Sequence, residues 1–342
     1  MSKDTVISQE LTKEDFVSDQ MVKWCPGCGD HAILSSLEKV LPQLGKRKED
    51  ILVISGIGCS SRFPYYVNTY GFHGIHGRAL AIASGARVTN PDLSIWVASG
   101  DGDSMAIGGN HFIHAIRRNL DINLMLFNNE IYGLTKGQYS PTTPLGQATK
   151  TSPYGTIEEP FVPGELCIGA QGTFFARVID SNPRAMAEIF QASAAHKGMS
   201  VVEILQNCVI FNNGAHNYLK DREHKADRQL WLEDGKPMIF GKENNKGLIL
   251  NGTELEVVTI GENGITEEDI LIHDSSTANP IIHLQLVRMK APEFPVAFGV
   301  IRNVKKPSYE QLMVQQIEDV KAKSKIKCAD DLFRSGTTWE VE

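Results

Sequence analysis

Between residues 51 and 205, short apolar, β-branched runs alternate with stretches of helical periodicity, and this rhythm limits the fold more than any other feature. ILVISGIG ends in glycines and leads into HGRALAIASGARVTN, whose small side chains let a helix lie close to a sheet. Next come LSIWVAS, a helix around GGNHFIHAIRRN with Ile113, Ile116 and Leu120 on one face, and INLMLF. After a loop rich in Gly, Pro and Thr from Tyr132 to about Pro163, the series resumes as TFFARVI, PRAMAEIFQASAAH and SVVEILQ. Upstream, GDHAILSSLEKVLPQLG predicts an amphipathic helix with Asp30 as N-cap and Ile33, Leu37, Val40, Leu41 and Leu44 turned inward. The expectation is an α/β fold built on a doubly wound parallel sheet. Past Cys208 the rhythm stops. Polar, charged sequence with short β-like runs (LILNG, LEVVTIG) reads as an irregular C-terminal extension over 209–342, after an N-terminal arm over 1–20 and an α/β domain over 21–208.

The charge balance narrows the function. Lys and Arg number 34 against 41 Asp and Glu, a formal charge of -7, so a nucleic-acid backbone is repelled. MSKDTVISQELTKEDF lacks an apolar signal core, and no stretch reaches the roughly 18 apolar residues a membrane span needs. The expected address is cytoplasmic, with no membrane and no nucleic-acid partner. There the six cysteines are thiols, metal ligands or redox groups rather than disulfides. The KAKSKIK run reads as a solvated helix face.

Two constellations carry chemistry. In SGDGDSMAIGG followed by FNNEIYG, Asp101 and Asn129 are one strand–helix–strand unit apart, so both fall at carboxyl ends of parallel strands, where this fold binds ligands. A carboxylate, an amide oxygen and the Ile131 carbonyl suit an octahedral Mg²⁺ completed by phosphate oxygens and water. Gly100 and Gly102 allow close backbone approach, and the following helix offers N–H groups to a diphosphate. The second set is Cys25 and Cys28 in WCPGCGD, Cys59 in GIGCSSR and Cys208 closing EILQNC. Zinc usually takes two close pairs of ligands; here the last two cysteines stand singly at separate strand ends, which favours an iron–sulfur cluster. Zinc or a dithiol pair stays open at this point. Cys167 and Cys328 read as structural thiols. GIGCSS and GDGDSM both lack the third glycine of a GxGxxG turn, which disfavours hydride transfer to a nicotinamide.

In order, WCPGCGD, GIGCSSR, HGIHGRA, GDGDSMAIGGNHFIHAIRRN, NNEIYGLTKGQYSPTTP and EILQNC resemble the β subunit of 2-oxoacid:ferredoxin oxidoreductases, of the 2-oxoglutarate type, over Trp24 to Asn212. The resemblance implies a sheet of the thiamine diphosphate-binding type. It also implies oxidative decarboxylation of a 2-oxoacid by thiamine diphosphate, acyl transfer to coenzyme A, and electrons leaving through a [4Fe-4S] cluster to ferredoxin. Removing two electrons one at a time gives a nearby cluster its purpose. Carried onto this chain, the cluster ligands fall on Cys25, Cys28, Cys59 and Cys208, and the Mg²⁺ ligands on Asp101, Asn129 and the Ile131 carbonyl. Cofactor contacts fall on Ile57, Gly58, Cys59 and Ser60; on His76, Gly77, Arg78 and Ala79; on Gly102 and Asp103; and on Gly133 and Leu134. His73, His111 and His114 read as structural.

For the substrate, Lys136 occupies a place where pyruvate-type relatives tend to have glycine, and it could pair with the distal carboxylate of 2-oxoglutarate; Arg62 could also reach an anion. A pyruvate or broad 2-oxoacid enzyme is the alternative. Thiamine enzymes need a carboxylic acid on a second, pyrimidine-binding domain. Only one βαβ series is present, so that glutamate is expected from an obligate α subunit. Lys23, beside the CxxC loop, is compatible with acidic ferredoxin. A non-redox thiamine decarboxylase holding zinc, and a metal protein without catalysis of its own, are the remaining readings.

Overall fold

Each of the apolar runs becomes a strand, and pairing places them in an order set by crossovers. The computed structural model describes residues 11–337 together with 339 and 341; the first ten residues of the expected N-terminal arm lie outside the described residues. The strands are β1 (Ile51–Ser55), β2 (Tyr70–His73), β3 (Ser94–Gly100), β4 (Asn123–Asn128), β5 (Phe174–Ile179), β6 (Ser200–Leu205), β7 (Gln229–Leu232), β8 (Ile239–Phe240), β9 (Lys246–Asn251), β10 (Glu254–Thr259) and β11 (Val296–Asn303). An eight-stranded sheet runs β2-β1-β3-β4-β6-β5-β11-β7 and is parallel from β2 through β5.

Helices cover both faces because the strands bury both. Along β3, Ile95 and Val97 point to one side and Trp96 and Ala98 to the other, all fully buried. The first side packs against α3 (Ala79–Thr89), α5 (Gly109–Arg118) and α6 (Pro163–Gly169), the second against α1 (Asp30–Val40) and α7 (Pro183–Ala195), while the short α2 (Phe63–Tyr66) and α4 (Asp101–Met105) lie in the connections after β1 and β3. Alanines at 79 and 83 supply the close approach expected of α3.

Three local expectations change. Asp30 is not the N-cap: Gly29 takes that place, and Asp30 is the first helical residue, buried, without a capping bond. Its side chain is instead hydrogen-bonded with Cys28, and glycine at 29 is a packing requirement, since a Cβ there would run into the Asp180 carboxylate. Ile113 does not share the buried face of α5; it is 42% exposed, while Phe112, Ala115 and Ile116 face the sheet. And the C-terminal extension is less irregular than its polar sequence suggests. β11 pairs antiparallel with β5 and parallel with β7, and β10-β9-β8 form a small antiparallel sheet. Cys208 thus ends the parallel series, not the sheet.

The connections position the site. From β1 the chain goes to β2 on one flank, then crosses back to β3 on the other. Loops leaving the carboxyl ends of β1 and β3 therefore diverge, opening the crevice at which doubly wound sheets bind ligands.

Candidate active site

A cavity of about 430 Å³ fills that crevice. Ile57, Gly58, Cys59 and Ser60 after β1, Gly102 and Asp103 after β3, and Gly133 and Leu134 after β4 line it, together with His76, Asp101, Asn129 and Ile131. Gly77, Arg78, Ala79, Arg62 and Lys136 stand outside this lining. Arg78 extends to the carbonyl of Ile107 at 3.4 Å, and Ala79 is buried at the start of α3.

Asp103, at the cavity wall, is fully engaged by its neighbours. Its Oδ1 accepts from the Gly77 N–H and faces His76 Nδ1, both at 2.7 Å, while Oδ2 accepts from Ser99 Oγ at 2.7 Å. A carboxylate so engaged fixes His76 at the cavity wall and ties its turn to β3. Gly102 is required by close packing: an added Cβ would sit 2.5 Å from Cζ of Tyr132, whose hydroxyl donates to the Gly102 carbonyl at 2.9 Å.

Asp101 is the polar centre of the cavity. It is 2% exposed, and its Oδ2 accepts from Ser140 Oγ and Thr142 Oγ1, each at 2.5 Å. Burial pushes its carboxyl up to about 6, opposed by the Ser140 and Thr142 hydroxyls and by backbone N–H donors. Next to it, Glu130 is pushed up to about 8 by burial first, then by Asp101 and Glu203. A carboxylate buried like that of Asp101 is stabilised in its charged form by a cation, and the oxygen donors here suit a hard divalent one.

The sulfurs gather on the neighbouring loops. A Cβ on Gly133 would lie 3.5 Å from Cys208 Sγ and 3.7 Å from Cys59 Sγ. Burial, then Asp30, then other cysteines raise both Cys28 and Cys59: Cys208 and Cys59 act on the first, Cys208 and Cys25 on the second. The CxxC turn closes by a 3.1 Å bond from the Cys28 N–H to the Cys25 carbonyl, with Gly27 in the left-handed region at φ 81°. Trp24 Nε1 donates to the Cys59 carbonyl at 2.7 Å, and Gln206 Nε2 donates to Cys28 Sγ at 3.1 Å. Among the described residues no three His, Cys, Asp or Glu side chains are drawn into metal-holding geometry. The thiols are neighbours rather than a formed ligand set, as expected where metal binding itself pulls ligands together. Four sulfurs beside glycine-rich loops fit a cluster by donor chemistry.

Cys167 is buried behind the sheet and Cys328 is exposed near the C-terminus, both apart from this group. Sequence reasoning missed Asp30, Tyr132, Ser140 and Thr142. Asp30 lines the cavity, and burial pushes it up to about 7 with Cys28 hydrogen-bonded to it. The only signal for Ser140 and Thr142 was their place in the loop after NNEIYG.

Residues 56–204 match the thiamine pyrophosphate enzyme family, C-terminal TPP binding domain. The chain is 44% identical to the 2-oxoglutarate oxidoreductase subunit KorB of Mycobacterium tuberculosis, over 96% of this chain and 88% of that one. It is 41% identical to 2-oxoacid:ferredoxin oxidoreductase 2, subunit beta, of Aeropyrum pernix, over 63% of this chain and 70% of the other. Among solved structures, 2-oxoglutarate:ferredoxin oxidoreductase from Magnetococcus marinus with 2-oxoglutarate, coenzyme A and succinyl-CoA bound superposes with a TM-score of 0.75 at 29% identity, covering 96% of both chains. With the match of residues 56–204 to the thiamine pyrophosphate domain and this likeness over nearly its whole length, the chain belongs to the β subunits of the 2-oxoacid:ferredoxin oxidoreductases.

Proposed function

We propose that this chain, joined to an α subunit in the cytoplasm, oxidatively decarboxylates 2-oxoglutarate to succinyl-CoA and CO₂ and passes the electrons through a [4Fe-4S] cluster to ferredoxin. The observation that carries the reading is the carboxylate of Asp101, 2% exposed and held through one oxygen by two hydroxyls, in a cavity that Cys59 also lines. Asp101, Asn129 and the Ile131 carbonyl would hold Mg²⁺; Cys25, Cys28, Cys59 and Cys208 would hold the cluster. Thiamine diphosphate supplies the electron sink for decarboxylation, and the cluster takes electrons singly. This chain's residues bind and orient. Ile57 to Ser60 and Gly102 form a wall without bulky charged groups, His76 is held toward the cavity by Asp103, and Phe127 and Leu134 keep the cavity apolar. All six cysteines are free, in keeping with a reducing compartment. No helix among the described residues is long and apolar enough to cross a membrane. The test is anaerobic co-purification with the α subunit, followed by metal analysis and ferredoxin reduction on a panel of 2-oxoacids. Turnover by the lone chain would overturn the partner requirement.

Substrate preference rests on Lys136. It is exposed, outside the cavity lining, and strained at φ 79°. A non-glycine residue there costs about 1–2 kcal/mol, so glycine is the cheaper residue for the backbone. Lys136→Gly should leave thermal stability unchanged or higher, yet lower kcat/KM on 2-oxoglutarate relative to pyruvate by about tenfold or more, the loss of one charge-assisted bond. The exposure of Lys136 favours a second reading, a 2-oxoacid enzyme without this preference, and an unchanged ratio would establish it.

A further inference from the structure

The loop over the cavity spends two hydroxyls on a single oxygen of Asp101. Ser140 Oγ and Thr142 Oγ1 both donate to Oδ2 at 2.5 Å, and all three side chains are buried. The loop that presents them is itself tied down. The Ser140 N–H donates to Thr143 Oγ1 at 2.8 Å, and that hydroxyl donates to the Glu130 carbonyl at 2.6 Å. From beneath, Asn128 Oδ1 accepts a share of the Thr142 hydroxyl's one proton at 3.0 Å, the longer branch of a bond forked with Asp101 Oδ2, and its amide is oriented because Nδ2 donates to Glu203 Oε1 at 2.8 Å. Arg177 Nε completes the row by donating to Glu203 Oε2 at 2.7 Å. The row crosses β4, β6 and β5, so the clamp stands on the sheet rather than on a loose loop.

Two short hydroxyl bonds fill the lone pairs of Oδ2; the carboxylate also receives backbone N–H groups of Asp101 and Gly102, and Oδ1, which takes neither hydroxyl, is the oxygen left to meet a cation. Mg²⁺ is small and octahedral, and takes one oxygen from each carboxylate; Ca²⁺ takes more ligands, at longer distances, and often both oxygens of one carboxylate. We propose that Ser140 and Thr142 determine cation selectivity, by blocking Oδ2 so that Asp101 offers a single oxygen and Mg²⁺ is preferred to Ca²⁺. This rests on reading Asp101 as the cation ligand of the thiamine site.

The test uses the αβ enzyme freed of metal and cofactor, with thiamine diphosphate binding followed by calorimetry in Mg²⁺ or in Ca²⁺. In the Ser140→Ala/Thr142→Val variant Oδ2 is released, and the Mg²⁺ to Ca²⁺ affinity ratio falls by about tenfold, the worth of a charge-assisted bond. Thr142→Ser, which keeps the hydroxyl, retains the wild-type ratio. Ser140→Ala alone carries a smaller change in the same direction should the double variant not fold. Equal weakening with both ions, or an unchanged ratio, overturns the proposal. Asp101→Asn separates the two levels: if it leaves metal-dependent binding intact, the ligand reading itself fails; if it abolishes binding while the double variant keeps the ratio, only the selectivity role fails.

Discussion

Cys208→Ser is expected to drop the iron of the purified αβ enzyme from about four atoms per heterodimer to below about one and to abolish ferredoxin reduction. The residue is 9% exposed just beyond the end of β6, where it bridges back to Asn212, so a serine of nearly the same size keeps the backbone path. Two controls separate ligation from thiol chemistry in general. Cys328→Ser lies on the exposed C-terminal segment and should leave iron and activity untouched. Cys167→Ser places a hydroxyl in the apolar layer under α6, where the thiol now faces the Phe174 carbonyl at 3.9 Å, and should cost stability without removing iron. Iron analysis and low-temperature electron paramagnetic resonance read the result. Unchanged iron in Cys208→Ser would remove the cluster from this chain, and about one zinc in place of iron would replace it with a structural site.

The legible part of the fold was the part that depends on local pattern. Runs such as SIWVASG and NLMLFN are buried on both faces, and a continuous apolar run of five to seven residues between glycine-rich turns has few other uses. Asp101 and Asn129 were legible for the same reason, since strand ends fix where the next residues point. The pairing of β11 with β5 and β7 was not. It joins Val296–Asn303 to strands far back in the chain, and QLWL alone, amid charged sequence, carries no period strong enough to be read. Ser140, Thr142, Glu203 and Arg177 were missed because buried polar residues look like surface ones until a partner is known. Glu203 interrupts the apolar run SVVEIL, and Arg177 interrupts TFFARVI; the two are directly opposite in register. Two charges at matching places in adjacent strands were a readable signal of an internal pair. The expectation for Asp30 failed through an interaction outside its helix: its carboxyl is buried at the cavity and hydrogen-bonded with Cys28 instead of capping the first turn.

That internal pair leads to the largest expected effect on stability. Arg177 and Glu203 have side chains 6% and 3% exposed, and Glu203→Ala would leave the guanidinium buried against the carbonyls of Val287 at 3.1 Å and Ala297 at 3.5 Å and the Phe175 ring, with no carboxylate paired to it among the described residues. Breaking one side of such a pair costs about 3–5 kcal/mol, because the remaining charge is neither solvated nor neutralised. Chemical denaturation should read a loss of that size. Glu188→Ala, which removes the exposed Arg184–Glu188 pair on α7, should change stability by less than about 0.5 kcal/mol. The compensated variant Arg177→Met/Glu203→Leu should recover most of the stability, since apolar replacement of a whole buried pair is often neutral. It should not recover cofactor affinity. Glu203 orients the Asn128 amide, and Asn128 underlies Thr142 at the Asp101 carboxylate, so both Glu203 variants lose the support of that row. If the compensated variant regains stability and thiamine diphosphate affinity together, the ion pair serves the sheet alone; if stability returns and affinity does not, the charge was kept in the core for the site.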